Sequence, residues 1–122
     1  MVNYTPAQMA EAAVKALDDK KAKDLKLLRT TGLTVLADYF VICTANSTTH
    51  IKTLSNEVDK VLTEMGEPPI RREGYRAGGW LLLDFGCILV HIFLQETREF
   101  YNLERLWGDA EEIPLSSLLG PC

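Results

Sequence analysis

The sequence predicts an α/β fold, a mixed β-sheet with flanking helices, and three stretches carry that reading. Residues 51–65 place Ile51, Leu54, Val58, Val61, Leu62 and Met65 on one stripe, the spacing of an amphipathic helix. Residues 37–45, ADYFVICTA, are dense in aromatic and β-branched side chains and read as a strand. Residues 80–94, WLLLDFGCILVHIFL, carry one charge, Asp84, and one imidazole, His91.

Taken in order, Thr5-Pro6-Ala7-Gln8 opens a first helix. A capping threonine is followed by proline at the first helical position and by glutamine three residues after the cap. Met9, Ala13, Val14 and Leu17 then fall on one face, and the helix ends near Asp19. Leu25, Leu27 and Leu28 mark a first strand in DLKLLRT, which Gly32 breaks. The strand at 37–45 runs into Asn46-Ser47-Thr48, a cluster of cap residues that starts the second helix. Gly66 ends that helix, and Pro68-Pro69 forbid its continuation. Residues 71–79 are polar and glycine-rich and read as a turn or mobile loop. After residue 94, Phe100, Leu103, Leu106 and Trp107 share a helical face, and Gly108 supplies the stop. The expected organisation is one domain over residues 1–113 with a C-terminal tail over 114–122.

The stretch 80–94 is too short for a membrane helix, which needs about twenty apolar residues, and it has aspartate and glycine near its middle. A hairpin accounts for both residues. Asp84-Phe85-Gly86 would form a three-residue loop with Gly86 in the left-handed position. In that register Leu83 faces Cys87, Leu81 faces Leu89 and Trp80 faces Val90. One face would carry Leu81, Leu83, Cys87, Leu89, His91 and Phe93, and the other Trp80, Leu82, Ile88, Val90, Ile92 and Leu94. Apolar residues on both faces place the hairpin centrally in a sheet covered on both sides. His91 is expected as a neutral core histidine with one hydrogen-bond partner. Trp80, beside two glycines at a strand start, fits a core position or an edge anchor for a partner equally well.

Composition narrows the function. Of 122 residues, 47% are hydrophobic and 25% charged, values of an ordinary soluble domain. No signal peptide is visible at the N-terminus, so a cytoplasmic protein is expected. Cys43, Cys87 and Cys122 are widely spaced with no CxxC, which is not a disulfide framework, and with the two histidines they make no recognised metal-ligand spacing. The net charge of −4 makes direct nucleic-acid binding the weaker reading and a basic protein surface the better partner. No phosphate-binding glycine loop, GxSxG or closely spaced carboxylate pair on a strand is present, and the DFG lacks every other kinase element. No active site is visible in these motifs, although catalytic groups can be scattered along a chain.

Three blocks together resemble one family. ADYFVICTANS at 37–47, EGYRAGGWLLLDFGCILVHIF at 73–93 and RxFYxLExLWxDA at 98–110 are similar to the Iojap-related ribosomal silencing factors, RsfS. With the capped helix between them they span nearly all of residues 5–110. The resemblance implies a mixed α/β fold like that of nucleotidyltransferases but without their catalytic residues. Such proteins bind large-subunit ribosomal protein fourteen on the face that meets the small subunit, block subunit joining and repress translation when nutrients are scarce. No cofactor or metal and no membrane is implied, and a homodimer is permitted. By position in the family pattern, Trp80, Asp84, Tyr101 and Trp107 are the marked residues. Trp80 would be the interface anchor, Asp84 a turn former, and Trp107 a packing residue of the last helix. Tyr101 lies off the apolar stripe, so its ring would be exposed for contact, and Glu73 and Glu104 are candidates for meeting basic groups. One departure from the family pattern is Arg29, where an acidic residue is common. A nucleotidyltransferase-like enzyme and a ribosome-assembly module are the alternatives.

Overall fold

The computed structural model describes residues 4–32, 37–75, 79–106 and 108–115. Helix α1 (Pro6–Asp19) starts on the expected capping box. The Gln8 N–H donates to Thr5 Oγ1 at 3.1 Å, and the Thr5 N–H donates to Gln8 Oε1 at 2.9 Å. Helix α2 (Thr48–Glu64) is capped by Ser47, whose side chain accepts the His50 N–H at 3.1 Å. His50 then fixes the start of α2 twice over. Its Nδ1 accepts the Asn46 N–H at 2.9 Å, which leaves the proton on Nε2 to meet the Lys20 carbonyl at 2.9 Å.

Between and after these helices run β1 (Lys23–Arg29), β2 (Tyr39–Ala45), β3 (Arg71–Tyr75), β4 (Trp80–Asp84), β5 (Ile88–Leu94), α3 (Gln95–Tyr101), α4 (Leu103–Leu106) and β6 (Glu111–Glu112). The strands form one sheet in the order β3-β4-β5-β2-β1-β6, mixed as expected, with β2 and β5 parallel and the other pairs antiparallel. The parallel pair lies at the centre and is covered on both faces, which is why both of its strands read as unbroken apolar runs. On one face Met9, Val14 and Leu17 of α1 and Leu54, Val58 and Leu62 of α2 pack onto Val41, Cys43, Val90 and Ile92. On the other, Leu28, Phe40, Ile42, Leu89 and Phe93 form a smaller core beneath Tyr101 and Leu103.

Several expectations change. Residues 71–75 are not loop but the edge strand β3, which pairs Tyr75 with Trp80 and Arg71 with Asp84. Its charged pattern is that of an edge strand exposed on one side, which hides the apolar alternation of a strand. The β4–β5 register differs by three residues from the expected one: Trp80 faces Phe93, Leu82 faces His91 and Asp84 faces Leu89. The turn is shorter and later, centred on Gly86 and Cys87 and closed by the Phe85 N–H on the Ile88 carbonyl at 3.0 Å. An odd shift turns every β4 side chain over. Trp80 and Leu82 therefore share a face with Leu89, His91 and Phe93, and Leu83 joins the α1–α2 core. The final helix is two short pieces, because Asn102 takes the left-handed conformation at φ 45. Glu111 and Glu112 form the short strand β6 beside Leu28 and Arg29, an element with no sequence signal of its own. Leu115 packs against the larger core.

Arg98, only 7% exposed, ties α3 to the sheet: its Nη1 donates to the Asp24 carbonyl at 2.6 Å and to Thr44 Oγ1 at 2.9 Å. These bonds hold the bulged start of β1, where Asp24 has φ 47, against the end of β2. Replacing Arg98 by methionine is expected to lower stability in urea unfolding by about 2–3 kcal/mol, since hydrogen bonds from a charged donor are lost inside the protein. Gly86 has φ +88, and a Cβ there would stand 3.1 Å from Ile70 Cδ1. Gly86→Ala is expected to cost about 1–2 kcal/mol in the same assay.

Candidate functional site

The register of β4 on β5 brings Glu73, Trp80, Asp84 and, through α3, Tyr101 to one face of the sheet. Trp80 is half-buried at the centre of an aromatic group. Its indole stacks on Phe93 with centroids 5.0 Å apart and 30° between planes, and Tyr101 lies 4.8 Å away at 47°. The indole N–H donates to His91 Nδ1 at 3.3 Å. His91 is buried between rings, 5.2 Å from Phe40 and 6.1 Å from Phe93, so the expected neutral core histidine with one bonded partner is what β5 presents. With Nδ1 accepting, the proton sits on Nε2, a buried donor with no partner among the described residues.

Tyr101 and Phe100 have exchanged the positions expected of them. Tyr101 is half-buried against Trp80, while Phe100 is 75% exposed and meets Tyr101 edge-on at 5.1 Å and 86°. The reason is the break at Asn102: a helix that ends there never carries Phe100 onto the stripe with Leu103. A shallow groove of about 220 Å³ beside the two rings is lined by Glu96, Thr97, Phe100 and Tyr101. Phe100 was the residue that periodicity missed. An asparagine, tolerant of the left-handed region, was the available signal for the break.

At the opposite end of this face the groups are polar. Arg71 donates from Nε and Nη2 to Asp84 Oδ2 at 3.2 and 3.1 Å, and from Nη1 to Glu73 Oε1 at 3.0 Å. Asp84 also accepts the Gly86 N–H on Oδ1 at 2.8 Å, so it shapes the turn as expected, while its other oxygen binds arginine. Arg71 thus joins two of the predicted residues, and nothing in its sequence context announced it. The backbone of Glu104 belongs to α4, but its side chain lies outside the described residues, as does Trp107. Arg29 stands beside Glu111 of β6 at 3.8 Å, so an acid is supplied there from the neighbouring strand.

This arrangement suits contact better than covalent chemistry. Burial pushes the Cys43 thiol up to about 12, and burial is also the main cause raising Cys87. Neither is a ready thiolate nucleophile. No group of three His, Cys, Asp or Glu side chains among the described residues could hold a metal ion, and no described helix is long and apolar enough to cross a membrane.

Burial lowers the His91 pKa to about 4, because removing the ring from water penalises its cationic form. In the unfolded chain the ring titrates near 6.5. Its contribution to stability is therefore full above about pH 6.5 and is lost as pH falls towards about 4, at up to roughly 1.4 kcal/mol per unit of separation. The expected result is that the wild-type stability-versus-pH curve falls more steeply across this window than that of His91→Leu, measured by urea unfolding at each pH.

Comparison with known proteins bears on nearly the whole chain. The family described as ribosomal silencing factor during starvation, RsfS, matches residues 3–120. The ribosomal silencing factor RsfS of Halalkalibacterium halodurans is 39% identical over 112 residues, covering 92% of this chain and 96% of that protein. A mouse protein named mitochondrial assembly of ribosomal large subunit protein 1 is 34% identical over 97 residues, 77% of this chain and 42% of its own length. A crystal structure of a Chromobacterium violaceum protein superposes with a TM-score of 0.82 at 35% identity, covering 86% of this chain and 88% of that one.

Proposed function

The chain belongs to the ribosomal silencing factor family, and from that premise we propose that it binds the large ribosomal subunit and sterically blocks the small subunit from joining, repressing translation when nutrients are limiting. The observation that carries this reading is the half-open aromatic group of Trp80, Tyr101 and Phe100 on a sheet face otherwise closed by its own core. Aromatic anchors ringed by polar groups are where interfaces concentrate binding energy. Here the rim is Glu73, Asp84, Glu96 and Glu99 with Arg71 and Arg105.

Electrostatics favours one kind of partner. A chain of net charge −4 is repelled by ribosomal RNA and attracted to a basic ribosomal protein, for which large-subunit protein fourteen on the intersubunit face is the proposed docking point. A domain of this length has a radius of gyration of about 14 Å, enough to hold two docking surfaces apart. No catalytic step is needed. Inhibition is then stoichiometric and reversible, and the place of action is the cytoplasm. The name of the mouse relative supports a second use of the same contact, in maturation of the large subunit.

In sucrose gradients the wild-type chain is expected to sediment with purified large subunits and, in light scattering, to prevent subunit joining. Trp80→Ala is expected to weaken that binding by roughly tenfold or more while circular dichroism stays native. Unchanged joining at several-fold excess of the wild-type chain would contradict the steric account.

A further inference from the structure

We infer that His91 is a positioning residue for docking: its buried Nδ1 holds the Trp80 indole with the N–H turned into the sheet and the hydrocarbon edge turned out. This rests on the reading of Trp80 as the interface anchor and adds the device that aims it.

The orientation is the reverse of what folding alone favours. A half-exposed tryptophan is ordinarily most stable with its polar N–H towards water and its rings against the core. Here the N–H is spent on the buried His91 ring, 3.3 Å away, while Phe93 and Tyr101 pack against the indole with centroids 5.0 and 4.8 Å from its own. The side that remains at the surface is therefore apolar, and it adjoins the exposed ring of Phe100 through Tyr101. A partner meets an aromatic surface and need not satisfy an indole donor.

His91 is also a poor residue for the core it occupies. Its position in β5 is covered on both sides, its neighbours are Phe40, Trp80 and Phe93, and its Nε2 donor is buried without a partner among the described residues. An aliphatic side chain of similar volume would fill the same space without that orphan. What an aliphatic residue cannot do is accept the indole proton. The neutral ring, kept so by burial, does this throughout the physiological range.

The test uses the full chain in a Trp107→Phe background, so that a single indole reports. Three variants separate the possibilities: His91→Leu removes the acceptor, His91→Asn offers Oδ1 at nearly the place of Nδ1, and His91→Leu is repeated with Trp80→Phe. The expected outcome for His91→Leu is a melting temperature equal to or above that of the parent at neutral pH. The indole N–H resonance moves upfield, and affinity for purified large subunits falls about tenfold, the loss of one useful hydrogen bond. His91→Asn is expected to keep the resonance downfield and the affinity within about threefold of the parent. In the Trp80→Phe background, His91→Leu is expected to change affinity by less than about twofold, because the group it orients is already gone. An unmoved indole resonance in His91→Leu overturns the inference, as does an equal loss of affinity with and without Trp80. If the wild-type chain binds no large subunits, the docking reading fails, while the resonance in the Trp107→Phe background still decides whether His91 orients the indole.

Discussion

The pairing of Trp80 with Phe93 is the constraint on which the rest depends. Strand side chains alternate, so this register decides that Trp80, Leu82 and Asp84 lie on the face of His91 and Phe93, with Glu73 joining them through β3, and that Leu81 and Leu83 turn to the helices. A slip of one residue would drive Asp84 into the α1–α2 core and expose Leu83, which is fully buried. Three local features guard against it. Gly86 occupies a left-handed position, Asp84 accepts its amide proton, and Phe85, 6% exposed, is anchored in the larger core. Arg71 then ties β3 across to Asp84, carrying the same register to the sheet edge.

The two faces of the sheet are covered unequally, and that asymmetry leaves room for a partner. On one side two helices of 14 and 17 residues close a continuous core. On the other, the described cover is α3, of seven residues, and α4, of four, with a left-handed break between them. The break leaves Phe100 in solvent and sets Tyr101 down on Trp80. Stability is thus concentrated on one face and the candidate contact on the other, where substitutions disturb fewer buried groups. The orphaned Nε2 of His91 belongs to the same division. A core selected for stability alone has little reason to keep an unmatched donor beneath a surface tryptophan.

Elements with strong period or capping chemistry were legible from the sequence. The capping box at Thr5, the stripe from Ile51 to Met65 and the unbroken apolar runs of the parallel pair all follow from local rules. Elements whose pattern comes from their neighbours were not. β3 is polar because it is an edge, and β6 is too short to show alternation. The hairpin turn was expected over Asp84-Phe85-Gly86 but lies over Gly86-Cys87, a difference of three in register, because the turn is set by the packing of both strands and not by its own residues. At the site, residue types suggested Trp80 and Asp84, whereas the roles given to Tyr101 and Glu73 came from family resemblance. Phe100 was missed because one left-handed asparagine overrides the helical period on either side of it.

The central claim is that the Trp80–Tyr101–Phe100 face, and not the helical face, meets the large subunit. A benzophenone side chain placed at position 100, or at exposed position 60 on α2, reads this directly on irradiation with purified large subunits. The account predicts a covalent adduct from position 100 to a basic large-subunit protein, and none from position 60. Adducts from position 60 alone, or attachment of position 100 only to ribosomal RNA, would contradict it.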